Sequence, residues 1–248
     1  MFTKVKTSEE IANMRESGRM LAEVLAKLKA VAQPGMTGKD ASELAKKELK
    51  AFGAKASFLG YSGYPDVICV SVNDEIVHGI PNDSPFKDGD IVSFDFGVNY
   101  RGMLTDAACS IVLGKATKTQ KRLLKATERS MYAGIEQVKH GVKTGDIAAA
   151  VQKVLQAESL GIVRELVGHG VGHYVHEDPN IPNYGMAGTG PALKAGMTIA
   201  IEPMATLGDY RIKMDPDGWT IRTADGSLAA HFEHTVLITQ DGYEILTA

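Results

Sequence analysis

The sequence predicts an α+β fold, with antiparallel strands forming the sheet and helices against its outer face. Three observations support this class. Ile91–Val98 and Thr105–Leu113 read as apolar strands, and Asn99-Tyr100-Arg101-Gly102 between them has turn chemistry, so the two should form a hairpin. Apolar residues recur at helical spacing in stretches on either side of it. Two acids on the hairpin, Asp95 and Asp106, are echoed by Glu202 and Glu233 in two later apolar strands. That echo hints at an internal duplication, with helices around each half.

A chain of 248 residues with 44% hydrophobic and 23% charged residues has an ordinary globular composition and can bury a sizeable core. A net charge of −3 argues against a nucleic-acid protein driven by phosphate contacts. Cys69 and Cys109 each lie in an apolar run, so no disulfide framework is expected and a reducing compartment fits. No apolar run has the length of a signal peptide or a membrane span, and no Gly/Ser linker divides the chain. The expectation is one cytoplasmic domain over residues 1–248, with no membrane partner and no specificity for nucleic acid.

Thr7-Ser8-Glu9-Glu10 opens the first helix as a capping box. Ile11, Met14, Leu21, Val24, Leu25, Leu28 and Val31 form its buried face, and Gln33-Pro34-Gly35 ends it. Thr37 caps a second helix reaching about Ala51. Ala56–Pro65 is rich in glycine and aromatics without a period, so Phe58, Tyr61 and Tyr64 either line an apolar pocket or cap the core. Val67–Val72 is a nearly continuous apolar strand, and His78 follows in a loop. After the hairpin, Lys118–Lys139 and Thr144–Ala157 read as helices. His169, His173 and His176 then fall close together among glycines, where backbone can approach a ligand. At least one of them is expected to serve a metal or catalysis. Gly196–Leu207 reads as an apolar strand containing Glu202, and Pro203 marks it as an edge or a bulge. Trp219 follows a turn-like Asp215-Pro216-Asp217-Gly218, and Ser227–Thr239 reads as a last apolar strand containing Glu233. His173, His231 and His234 read mostly as structural, although His231 shares strand parity with Glu233.

With Tyr100 and Arg101 as the loop, Asp95 and Asp106 oppose each other directly, roughly 5 Å apart. Two carboxylates among apolar neighbours are costly unless they share a proton, pair with a cation or hold metal. A slipped register that solvates one of them is the alternative. Four acids in strand segments without Lys or Arg favour a cation from outside the chain. Four carboxylates with one or two imidazoles suit Mn, Fe, Co or Zn better than a thiolate zinc site. Their charge exceeds what one divalent ion needs. Two ions activating water between them, with a spare histidine on the oxyanion, make a dinuclear metallohydrolase.

The motifs NDEIVHGIP, SFDFG…TDAA, GHGVGHYVHEDP, IEPM and FEHTVLIT, in this order from about Thr7 to the end of the sequence, resemble those of type I methionine aminopeptidases. The resemblance implies the creatinase-like or "pita-bread" fold, a pseudo-two-fold antiparallel sheet with helices outside. It implies two divalent ions (Co, Mn, Fe or Zn) held by Asp95, Asp106, His169, Glu202 and Glu233. Asp106 and Glu233 would bridge both ions, Asp95 would bind one alone, and His169 the other with Glu202. Glu202 would also shuttle the proton, His176 would stabilise the oxyanion, and His78 would contact the substrate near its amino terminus. Tyr61, Tyr64, Cys69 and Trp219 would wall the methionine pocket. The implied activity is removal of the N-terminal methionine from nascent proteins and peptides whose second residue is small. A monomer with transient ribosome association is expected. Leu166, Val175 and Phe58 depart from the family's usual residues, where an aromatic or Met, a Phe and a Cys are common. A related metallopeptidase for another N-terminal residue or for Xaa-Pro, and a non-catalytic binding protein of the same fold, are the rival readings.

Overall fold

Threonine caps set where three of the four helices begin. The computed structural model describes residues 3–248. The first half runs α1 (Ser8–Val31), α2 (Gly38–Phe52), β1 (Lys55–Ala56), β2 (Ile68–Val72), β3 (Glu75–Val77), β4 (Ile91–Tyr100) and β5 (Met103–Val112). Next come α3 (Lys118–Ile135), α4 (Thr144–Ala157), β6 (Gly161–Ile162), β7 (Gly168–Gly170), β8 (Glu177–Ile181) and β9 (Thr198–Ile201). The chain closes with β10 (Met204–Thr206), β11 (Ile212–Met214), β12 (Ile221–Thr223), β13 (Ala229–His231), β14 (His234–Ile238) and β15 (Tyr243–Ile245).

Thr7, Thr37 and Thr117 each close a capping box with the residue three positions on. Met14, Leu21, Val24, Leu25 and Leu28 are buried on one face of α1, as the spacing predicts. That face lies on the β4–β5 hairpin, where the Ser17 hydroxyl donates to the Val98 carbonyl at 2.9 Å. Gly18 lets α1 approach the C-terminal segment, because a Cβ there would come within 1.9 Å of the Leu246 carbonyl oxygen. The helices α3 and α4 pack on each other and against strands of the second half. Among the described residues, no helix is long and apolar enough to cross a membrane.

Every ladder between the described strands is antiparallel. The hairpin's register differs from the expected one. Tyr100 pairs with Met103, so Arg101 and Gly102 form the turn, both at positive φ of 50° and 83°. This primed turn matches strand twist, and glycine at its second position favours it over a Tyr100–Arg101 loop. Asp95 therefore faces Ala108, and Asp106 faces Gly97. The two acids are diagonal neighbours on one face rather than directly opposed.

The two later strands are also corrected, since each is broken at its acid. One sheet has the order β15-β14-β9-β7-β8 and another the order β13-β10-β6. The β9–β14 ladder ends at Ile201–His234, and the β10–β13 ladder starts at Met204–His231. Both strands thus leave one sheet and enter the other together, and Glu202 and Glu233 occupy the crossing. Pro203, which has no N–H, sits in this unpaired gap. The hairpin joins the second half here too. Glu233 N–H donates to the Ala108 carbonyl at 2.9 Å, and Asp106 N–H donates to Thr235 Oγ1 at 2.9 Å.

Candidate active site

Four acids and a histidine meet where the two halves join. Asp95 comes from the centre of β4, paired with Cys69 on one side and Ala108 on the other. Asp106 comes from β5, and the crossing strands supply Glu202 and Glu233. His169 lies in β7, which hydrogen-bonds to β9. Its Nδ1 bonds the Gly170 carbonyl at 2.9 Å, a contact that makes Nδ1 the protonated nitrogen and leaves Nε2 free as a donor of electrons. Nε2 lies 3.3 Å from Glu202 Oε1. Ligand atoms of Asp106, His169 and Glu233 lie within 4.8 Å of one another, as do those of Glu202, His231 and Glu233.

Burial dominates the electrostatics. It pushes the Asp95 carboxyl up to about 7, helped by neighbouring Glu202. It pushes Glu202 up to about 8. Asp106 and Glu233 rise well above the ordinary carboxyl range, through burial and then through the other acids. His169 falls to about 3, through burial and the nearby His176. Asp95 Oδ1, Asp106 Oδ1 and Glu233 Oε1 are buried with no hydrogen-bond partner among the described residues. Among the described residues, no Lys or Arg lines the chamber. Such a cluster is costly as bare carboxylates. An oxygen-rich set with one imidazole has the donor chemistry of a divalent transition-metal site, so the residues present fit such an ion.

The chamber opens into an apolar pocket. Its wall holds Phe58, Tyr61, Tyr64, Cys69, His78, Val175, His176 and Trp219 beside the acids and His169. Tyr64 spends its hydroxyl on the Ile68 and Gly79 carbonyls at 3.2 and 2.9 Å, which leaves its ring as an apolar face. The Trp219 ring stands edge-on to it with centroids 5.1 Å apart. His78, in the pocket wall, takes a positive φ of 60°, a left-handed conformation that few non-glycine residues adopt. Partial burial and the nearby imidazoles of His231 and His176 lower it to about 4. His176 bonds the Tyr61 hydroxyl through Nδ1 at 2.8 Å, and its ring lies 4.3 Å from that of His169.

All eleven residues singled out for ligand, catalytic or pocket roles line this one cavity. Phe58 and Val175 also line it, while both are packed in the apolar cluster with Tyr64, Cys69 and Leu104. His231 is the residue whose placement the sequence left in doubt. It is buried, neither ring nitrogen has a hydrogen bond, and Nε2 lies 3.4 Å from Glu202 Oε2. Its parity with Glu233 was the signal. His173 lies outside the chamber, bonded to Glu10 at 2.7 Å.

Comparison with known proteins agrees with this geometry. The model of metallopeptidase family M24 matches residues 12–240. Methionine aminopeptidase 1 of Bacillus subtilis is 45% identical over 242 residues, covering 98% of each chain. The crystal structure of a methionine aminopeptidase from Thermotoga maritima superposes with a TM-score of 0.97 at 44% identity, over 99% of both chains. Prolidase from Pyrococcus furiosus shares the fold alone, with a TM-score of 0.79 at 22% identity over 98% of this chain and 65% of that one. The architecture is thus the pita-bread fold, and the chain belongs to metallopeptidase family M24, among its methionine aminopeptidases.

Proposed function

We infer that this chain is a type I, dinuclear-metal aminopeptidase that removes the N-terminal methionine from nascent proteins and peptides with a small second residue. One observation carries the reading. The unpartnered oxygens Asp95 Oδ1, Asp106 Oδ1 and Glu233 Oε1 share a chamber with Glu202 and His169, and that chamber is continuous with the Phe58–Tyr64–Cys69–Trp219 pocket. An apolar pocket beside the acids accepts an unbranched, polarizable side chain and leaves its backbone at the acids.

Asp95, Asp106, His169, Glu202 and Glu233 would hold two divalent ions. When bound, such ions supply Lewis-acid polarisation of the scissile carbonyl and of the attacking water. The remaining steps fall to the chain. His78, in the pocket wall, orients the substrate's amino terminus. Glu202 takes a proton from the attacking water and delivers it to the departing amide nitrogen as the C–N bond breaks. His176 donates a hydrogen bond from Nε2 to the developing oxyanion, its Nδ1 being engaged by Tyr61. The products are methionine and a chain with a new α-amino group.

Mn, Fe, Co and Zn all suit this donor set. Cys69 and Cys109 are free and buried, as a reducing cytoplasm allows. A monomer that meets chains as they leave the ribosome fits the same reading, and gel filtration and ribosome co-sedimentation test those two points. The central test is titration of metal-free protein with each divalent ion while following Met-Ala-Ser hydrolysis and counting equivalents bound. Turnover appearing as one to two ions bind, with Met-Lys peptides left intact, is the expected result. Cleavage confined to Xaa-Pro peptides would overturn the substrate assignment, and failure to bind any ion would overturn the site.

A further inference from the structure

Residues 3–7 form a strap across the loop that presents His176. Thr3 N–H donates to the Asp178 carbonyl at 2.5 Å, and Lys6 N–H donates to the Gly196 carbonyl at 2.8 Å. At the centre of the strap lies Lys6, whose side chain is 0% exposed. Its Nζ donates to Thr3 Oγ1 at 2.6 Å and to Glu177 Oε2 at 3.2 Å. Glu177 is the residue after His176. Its other oxygen accepts the N–H groups of His173 at 2.7 Å and Tyr174 at 3.1 Å. The carboxylate thereby closes residues 173–177 into a turn with His176 inside it. Packing leaves little slack, since a Cβ on Gly172 would lie 2.5 Å from Lys6 Cε and one on Gly170 2.8 Å from Thr3 Cβ. On the other side of His176, Val175 packs among Phe58, Tyr64 and Leu104. The imidazole is held between an apolar anchor and an ionic one.

A buried lysine–carboxylate pair is not stabilising by default, because desolvation offsets the attraction. Neither Lys6 nor Glu177 lines the chamber. What this pair offers, and an apolar pair lacks, is a neutralised acceptor for two amides of the turn. We propose that Lys6 is a positioning residue for the reaction, holding through Glu177 the turn that aims His176 at the scissile carbonyl. This rests on the oxyanion role given to His176 above. Without Lys6, the buried Glu177 charge is uncompensated. The carboxyl then turns to solvent or takes up a proton, the two amides lose their acceptor, and His176 loses its aim. A displacement of ~1 Å is enough to cost ~10²-fold in rate.

The test compares Lys6→Met with the double variant Lys6→Met/Glu177→Gln, whose side-chain amide oxygen accepts the same two N–H groups without a charge. One readout is NMR on the metal-free chain, following amide exchange at His173 and Tyr174 and the His176 ring signals. The other is kcat and KM for Met-Ala-Ser in the metal-loaded chain. In Lys6→Met, exchange at both amides should speed up and the His176 signals should shift. Its kcat should fall at least ~10-fold with KM within ~3-fold, and the double variant should recover most of each loss. A Lys6→Met chain with a lower thermal midpoint but wild-type exchange, ring signals and kcat overturns the proposal, since a merely structural pair would behave that way. A double variant no better than the single one overturns it as well. If Lys6→Met does not fold, Thr3→Val removes the hydroxyl that accepts from Lys6 and donates to the Thr198 carbonyl, and keeps the Lys6–Glu177 pair. Smaller changes of the same kind are then expected, and unchanged exchange and kcat refute the link. Wild-type protein inactive on methionyl peptides would sink the functional reading, while the exchange data would still decide whether Lys6 sets the His176 turn.

Discussion

Glu202 combines two tasks in one carboxyl group, ligand and proton carrier, and their separation is measurable. Glu202→Gln keeps the shape but removes the charge, so kcat should fall by at least ~10² on the scale of a lost general acid/base. Near-wild-type turnover would remove Glu202 from the mechanism. His176→Ala should lower kcat while metal affinity, read by calorimetry, stays near wild type, because the ring reaches the chamber from the pocket side. Collapse of metal affinity would place His176 among the ligands instead. At this scale much was legible. Four acids inside apolar strands that hold no Lys or Arg are anomalous together, so Asp95, Asp106, Glu202 and Glu233 stood out as a set, although each alone could be a salt bridge. His231 and Lys6 did not, because their meaning depends on Glu202 and Glu177, and nothing local in the sequence names those partners.

Helices were read closely because capping and period are local signals: α2 and α4 end within a residue of expectation, and α3 ends at Ile135, short of the expected Lys139. The strands were read less well. The hairpin's register turned on which two of four turn residues form the loop, and the breaks at Glu202 and Glu233 arise from a change of sheet partner, which is a non-local event. Gly18 illustrates how an element's environment reverses a propensity. In an exposed helix, Gly→Ala stabilises by about 1 kcal/mol. Here the new methyl would strike the Leu246 carbonyl. Gly18→Ala should therefore destabilise the protein, by roughly 1–3 kcal/mol on the scale of overpacking, as read from urea unfolding. A stabilised variant would mean that α1 does not dock against the C-terminal segment as described.

The molecule as a whole should register its buried acids in the pH dependence of stability. In the metal-free folded chain, Asp95 and Glu202 keep protons to about 7 and about 8, against ordinary values of 3.8 and 4.5. His78 and His169 are depressed to about 4 and about 3 from 6.5. Below about pH 6.5 the two groups oppose each other: the raised carboxyls favour folding at lower pH, and the depressed imidazoles favour it at higher pH. Above about pH 7.5 the imidazoles are neutral folded or unfolded, and of these four groups only the carboxyls still titrate. The folded state then holds more protons than the unfolded one, so stability falls as pH rises. The thermal midpoint of metal-free protein should drop between about pH 7.5 and 8.5, and a saturating divalent ion should flatten that slope. A midpoint that rises across this window would mean that the acids are already ionised in the fold.

The shared crossing of the β9–β10 and β13–β14 strands has a mechanical consequence. Where both strands change sheets they make no regular ladder, so the seam between the sheets has the fewest ladder bonds to hold it just where the acids stand. Whatever bridges those carboxylates works as a rivet through the seam. The metal-free chain should follow the same path with more play in it, and the amides of Phe232 and Glu233 should exchange faster than in the loaded chain while those of α1 do not change. Fixing the ions and fixing the sheets to each other are then one event.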